Sequence, residues 1–189
     1  GMTDPDTTRG NAPKSYTATV FLSSPAAKSS FDELRKLIEL SKTVQPDTPL
    51  RNVTLDEVPC LPMQVGDIVI TDSPDLANQT LNLKHYAPVI FLSSEPQKIP
   101  DNSLVERILI EDSDRTKTNM YNALSTGILL SAAMQETVSE RIKDHVYRIV
   151  LPPQGNQGSI QPKFAAVMTQ FEDIRANEDR YLSAAFYPL

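Results

Sequence analysis

Apolar positions change period several times along the chain, and each change marks an element. Tyr16 to Leu22 is rich in β-branched and aromatic residues and stops at Ser23-Ser24-Pro25, which predicts a first strand leading into a polar loop. Ser30-Phe-Asp-Glu33 has the form of a capping box, and Phe31, Leu34, Ile38 and Ser41 or Val44 recur at helical spacing as far as Pro46. Leu50 to Val58 alternates apolar with polar residues and is closed off by Pro59 and Pro62, so a second strand is expected there. Asp67 to Thr71 instead sets apolar residues side by side, as a strand covered on both faces does, and this places it centrally in a parallel sheet. Ala77 to Leu83 predicts a short helix, weakened by Asn78, Asn82 and the nearby Pro74. Ala87 to Ser94 and Val105 to Ile110 read as two more strands.

The second half follows a different pattern. From Arg115 to His145 there is no proline, and Met120, Leu124, Ile128, Val138 and Ile142 keep a helical period. At a rise of about 1.5 Å per residue such a helix would reach about 45 Å, more than a small sheet covers. It is expected either to break near Gly127 or to pack its far half on something else. Tyr147 to Leu151 predicts a strand and residues 152–159 a loop. Pro162 opens a last helix with Phe164, Val167, Met168, Phe171 and Ile174 on one face. Tyr181, Leu182, Phe186 and Tyr187 are expected to dock the C-terminus. Residues 1–15 carry almost no apolar side chains and predict a flexible tail, with Gly1 read as the remnant of a tag.

The order strand, helix, strand, strand, helix, strand, strand, helix predicts an α/β fold. It is a doubly wound, five-stranded, mainly parallel sheet of flavodoxin-like type with an extra C-terminal helix-strand-helix extension. The division expected is a tail over 1–15, an α/β domain over 16–130 and an extension over 131–189 that serves dimerisation or docking. In such a sheet the functional edge lies at the carboxyl ends of the strands.

Charge and cysteine content narrow the function classes. With 189 residues, 18 Lys+Arg and 24 Asp+Glu, the chain has a formal net charge of −6 and no basic field to draw in phosphates, so no nucleic-acid partner is expected. A single cysteine, Cys60, excludes an intrachain disulfide and fits a reducing cytoplasm. No apolar run is long enough to span a bilayer, and no membrane partner is expected.

Two segments sharpen the fold expectation. Asp67-Ile-Val-Ile-Thr-Asp72 resembles the third strand of a response-regulator receiver domain, and Pro88-Val-Ile-Phe-Leu-Ser93 resembles its fourth. The resemblance covers residues 16 to 130. It implies that Asp72 stands where that family accepts a phosphoryl group and Ser93 where a hydroxyl contacts that group. It also implies a cation-holding acidic pair after the first strand, where this chain has Ser23 and Ser24, and a lysine after the fifth, where it has Glu111 and Asp112. Phosphoryl transfer to a carboxylate needs a cation to neutralise developing charge, so these replacements predict a degenerate, pseudo-receiver domain.

The first expectation is therefore a cytoplasmic, non-enzymatic signalling or regulatory module without cofactor or metal. It acts through an unidentified protein partner and forms a homodimer through residues 115–189. In it Asp72 is a strand-end residue that caps the following Ser73-Pro74 turn. The alternative is an α/β enzyme or small-molecule sensor whose ligand edge is built from Ser23, Ser24, Asp72, Ser93, Ser94, Glu111 and Asp112. The serine pairs offer hydroxyls to an anion, and Asp72, Asp75, Glu111 and Asp112 offer carboxylates to a cation, although a solvated acidic rim needs no metal. His85, His145 and Cys60 are expected to be structural.

Overall fold

The computed structural model describes residues 14–81, 87–95, 104–111, 113–136, 163–177 and 179–180. The tail before Lys14, His85, Asp112, His145, the strand expected over 147–151, the loop 152–159 and the anchors from Tyr181 onward lie outside the described residues.

Strands β1 (Tyr16–Phe21), β2 (Val53–Glu57), β3 (Ile68–Thr71), β4 (Val89–Ser93) and β5 (Val105–Leu109) form one sheet in the order β2-β1-β3-β4-β5. Every neighbouring pair is parallel, with Ala18 opposite Ile68, Val69 opposite Val89 and Val89 opposite Val105. This is the doubly wound, flavodoxin-like arrangement. The helices are α1 (Pro25–Val44), α2 (Pro74–Leu81), α3 (Ser113–Gln135) and α4 (Lys163–Ala176), with a short 3₁₀ turn over Pro49–Asn52.

The chain winds from β1 outward to β2 through α1, then from β3 outward to β4 through α2. Right-handed crossovers in opposite directions put those helices on opposite faces. The two cores follow. Ala18, Val20, Ile68, Ile70, Ile90 and Ile108 pack under α1, α3 and α4, while Val69, Val89, Phe91 and Val105 pack under α2 with its Leu76 and Ala77. All four residues of β3 are buried, as its unbroken apolar run predicts.

β2 sits at the sheet's edge, and its alternation has a direct cause. Val53 and Leu55 pack toward α1, while Thr54 and Asp56 are exposed. The chain then crosses β1 on the α2 side without a helix, where Val65 packs and the Pro62 carbonyl accepts from Gln79 Nε2 of α2 at 2.8 Å.

α1 begins at Pro25 and not after Ser30. Ser24 is its N-cap, its hydroxyl accepting a bond from the Ala27 N–H at 3.0 Å, and Pro25 occupies the first helical position, where its missing N–H is no loss. α3 runs unbroken through Gly127, across the expected boundary at residue 130, and its far half packs on α4. Its 23 described residues span about 34 Å at about 1.5 Å each. A Cβ at position 127 would stand 2.4 Å from Ile68 Cδ1 and 3.1 Å from Phe164 Cε2, so glycine there lets α3 seat on β3 and lets α4 seat on α3. Over its described residues the apolar face of α3 thus has α4 of the same chain on it, while Val138 and Ile142 lie outside the described residues. Phe164, Val167, Phe171 and Ile174 of α4 are all buried in that shared core.

Candidate functional site at the carboxyl edge

The sheet reverses its winding between β1 and β3, and ligands of doubly wound proteins bind outside the carboxyl ends of the strands at such a point. Here the two loops that meet are Leu22-Ser23-Ser24, after β1, and Asp72-Ser73, after β3. They are joined by one side chain. The Asp72 carboxylate accepts from the Ser23 N–H, at 2.9 Å to Oδ1 and 3.1 Å to Oδ2, and from the Ser24 N–H, at 2.7 Å to Oδ2. Backbone N–H groups just ahead of a helix form a natural anion seat, and Asp72 fills it from within the molecule.

Around this contact the hydroxyls serve the backbone. Thr71 Oγ1 donates to the Phe21 carbonyl at 2.6 Å and accepts from the Ser73 N–H at 3.0 Å. Ser73 Oγ accepts from the Leu76 N–H at 3.2 Å, so it is Ser73 that caps the following turn. Asp72 holds the loop across the sheet, where sequence had it capping its own turn.

The remaining expected residues are held locally. Ser93 Oγ lies 2.9 Å from the Glu95 carbonyl, to which it donates, and accepts from the Glu95 N–H at 3.0 Å. Ser94 is exposed. Glu111 pairs with Arg115 at 3.5 Å one helical turn on, and its N–H donates to Thr116 Oγ1 at 3.0 Å. Asp75 is exposed in the first turn of α2, and Asp112 lies outside the described residues. Among the described residues no three His, Cys, Asp or Glu side chains come together as a metal site would require. Cys60 is exposed in the β2–β3 crossover. No helix among the described residues is long and apolar enough to cross a membrane.

Two polar features escaped the sequence reading. At the amino edge Asp67 Oδ2 accepts from the Thr17 N–H at 2.9 Å, while its own N–H donates to the Thr17 carbonyl at 2.8 Å. Gln135 Nε2 donates to Asp67 Oδ1 at 2.9 Å and to Ser131 Oγ at 3.1 Å, and Lys14 Nζ donates to Gln135 Oε1 at 3.0 Å. Tyr16 borders this network, and burial first, then the Glu136 and Asp67 charges, hold its phenol above the ordinary value of 10.0. The second feature is Glu106, buried in the middle of β5 and turned to the start of α4. Two adjacent charges, Glu106 and Arg107, inside an otherwise apolar strand were the available signal.

The class that the fold defines is a doubly wound α/β protein with its switch point closed by an internal carboxylate. Comparison with models of known protein families, with curated proteins and with solved structures gives no match.

Proposed function

We propose that the chain is a non-enzymatic regulatory module of pseudo-receiver type, acting in the cytoplasm through contacts with a protein partner. The observation that carries this reading is the commitment of Asp72 to the amides of Ser23 and Ser24. A phosphoacceptor carboxylate needs a free oxygen aimed at solvent and a cation beside it. Asp72 has one oxygen shared between two amides and the other on Ser23, with serines where acidic ligands would be needed.

The test is intact-mass spectrometry after incubation with Mg²⁺ and acetyl phosphate, with Asp72→Ala as control. The expected result is an unchanged mass for both proteins. A phosphoryl-sized increment that disappears in Asp72→Ala would make Asp72 a working acceptor and sink the proposal.

A further inference from the structure

Glu106 is 8 % exposed, on the face of β5 that α4 covers. Its Oε2 accepts from the Lys163 N–H at 3.0 Å and its Oε1 from the Phe164 N–H at 3.5 Å. The first N–H groups of a helix have no partner inside it, so this carboxyl caps α4 from the neighbouring strand. The cap is lopsided. One bond is close and the other lies at the limit of hydrogen bonding, whereas a buried carboxylate is held ionised by two or three good amide bonds.

We propose that Glu106 is a protonation-sensitive latch on α4: when its carboxyl is neutral the C-terminal helix stays seated, and when it is ionised the helix is released more readily, uncovering the Gly127 face of α3. The neutral carboxyl still accepts the close bond from Lys163 N–H but carries no charge away from water.

Burial sets this sense, against the nearby positive charges. Burial pushes the Glu106 carboxyl above its usual range, and the Lys163 and Phe164 amides and the Lys163 and Arg107 charges oppose that rise without offsetting it. Neighbouring β4, Val-Ile-Phe-Leu-Ser, has no ionisable side chain. In α3, Lys117 pairs with Asp114 at 3.6 Å and Arg115 with Glu111, within the first turns. Glu172 and Asp173 of α4 are exposed more than two turns beyond Lys163. A carboxyl whose value is raised in the docked state gives docking that is strongest below its ordinary value of 4.5 and weakens as pH rises through the raised value.

Hydrogen–deuterium exchange on the full chain tests the latch. Amides of α4 are followed from about pH 5 to about pH 8, corrected for intrinsic exchange, with α1 as the reference for global opening. The opening equilibrium of α4 is expected to rise several-fold over that range while α1 stays level. Glu106→Gln is expected to flatten the rise and to protect α4 at the upper pH at least as well as the wild type. Phe164→Ala is expected to loosen α4 by a constant factor and keep the slope. A level wild-type profile, an unchanged slope in Glu106→Gln, or a loss of slope in Phe164→Ala overturns the proposal. If Glu106→Gln does not fold, the wild-type and Phe164→Ala profiles decide it.

Discussion

Strand β3 is bracketed by two aspartates that do nearly the same work from opposite ends. Asp67, before it, bonds the Thr17 N–H at the start of β1, and Asp72, after it, bonds the Ser23 and Ser24 amides beyond the end of β1. Only one of them drew attention in the sequence, because only one sits at the edge where α/β proteins place their chemistry. Their likeness teaches that an aspartate at either end of a short central strand is first of all a staple to its neighbour. Their difference lies in depth. Asp67 also reaches α3 through Gln135 and Ser131, whereas the Ser23 amide held by Asp72 is open to water.

That difference is open to measurement. The largest effect is expected from Gly66→Ala, which strikes the amino-edge staple through the backbone. The added Cβ would lie 2.5 Å from the Thr17 carbonyl oxygen, a rigid partner, so a loss of about 2–3 kcal/mol is expected in urea unfolding. Next, Asp67→Ala is expected to cost about 2 kcal/mol and Asp72→Ala about 1 kcal/mol, because water replaces the lost partner more easily at the carboxyl edge. Asp67 and Asp72 are separated by about 16 Å along the extended strand, so the double variant should equal the sum within about 0.5 kcal/mol. A larger loss at Asp72 than at Asp67 would reverse the ranking and make the carboxyl edge the main clamp.

The smallest effect is alkaline. Because the Tyr16 phenol is raised in the folded protein, its stability contribution is complete below the ordinary value of 10.0 and is lost as pH rises through the raised one. Tyr16→Phe should therefore retain more of its stability than the wild type above that pH. In unfolding curves, an equal alkaline loss in both proteins would remove the Asp67 side's claim to be the more enclosed edge.

Sheet and layers were largely legible in the chain because their cause is local. The unbroken apolar run of β3 and the alternation of β2 state how many faces each strand has covered. The start of α1 was misplaced because two N-caps compete in the sequence. Ser30 offers a capping box, but Ser24 stands at the end of the β1 loop with a proline behind it, and the helix runs through Ser29 and Ser30 on its outer side. Asp72 was legible as a strand-end carboxylate but not by its partners, which lie 48 and 49 residues away. Likewise the surplus apolar surface of α3 was visible, while its cover was not: Gly127 and Phe164 are each plain in the sequence, and their meeting is a fact of packing. Glu106 was passed over because a charge inside a strand says nothing of what faces it.

In the language of competition, Asp72 is a tethered occupant of the anion seat that the Ser23 and Ser24 amides form. A carboxylate fixed within the same molecule competes at an effective concentration of about millimolar or more. A free small anion must exceed that level before it gains the Ser23 and Ser24 amides. Removing the side chain with Asp72→Gly would turn the occupied seat into a vacant one, and acetate or formate in excess should then restore part of the lost stability to that variant while leaving the wild type unchanged.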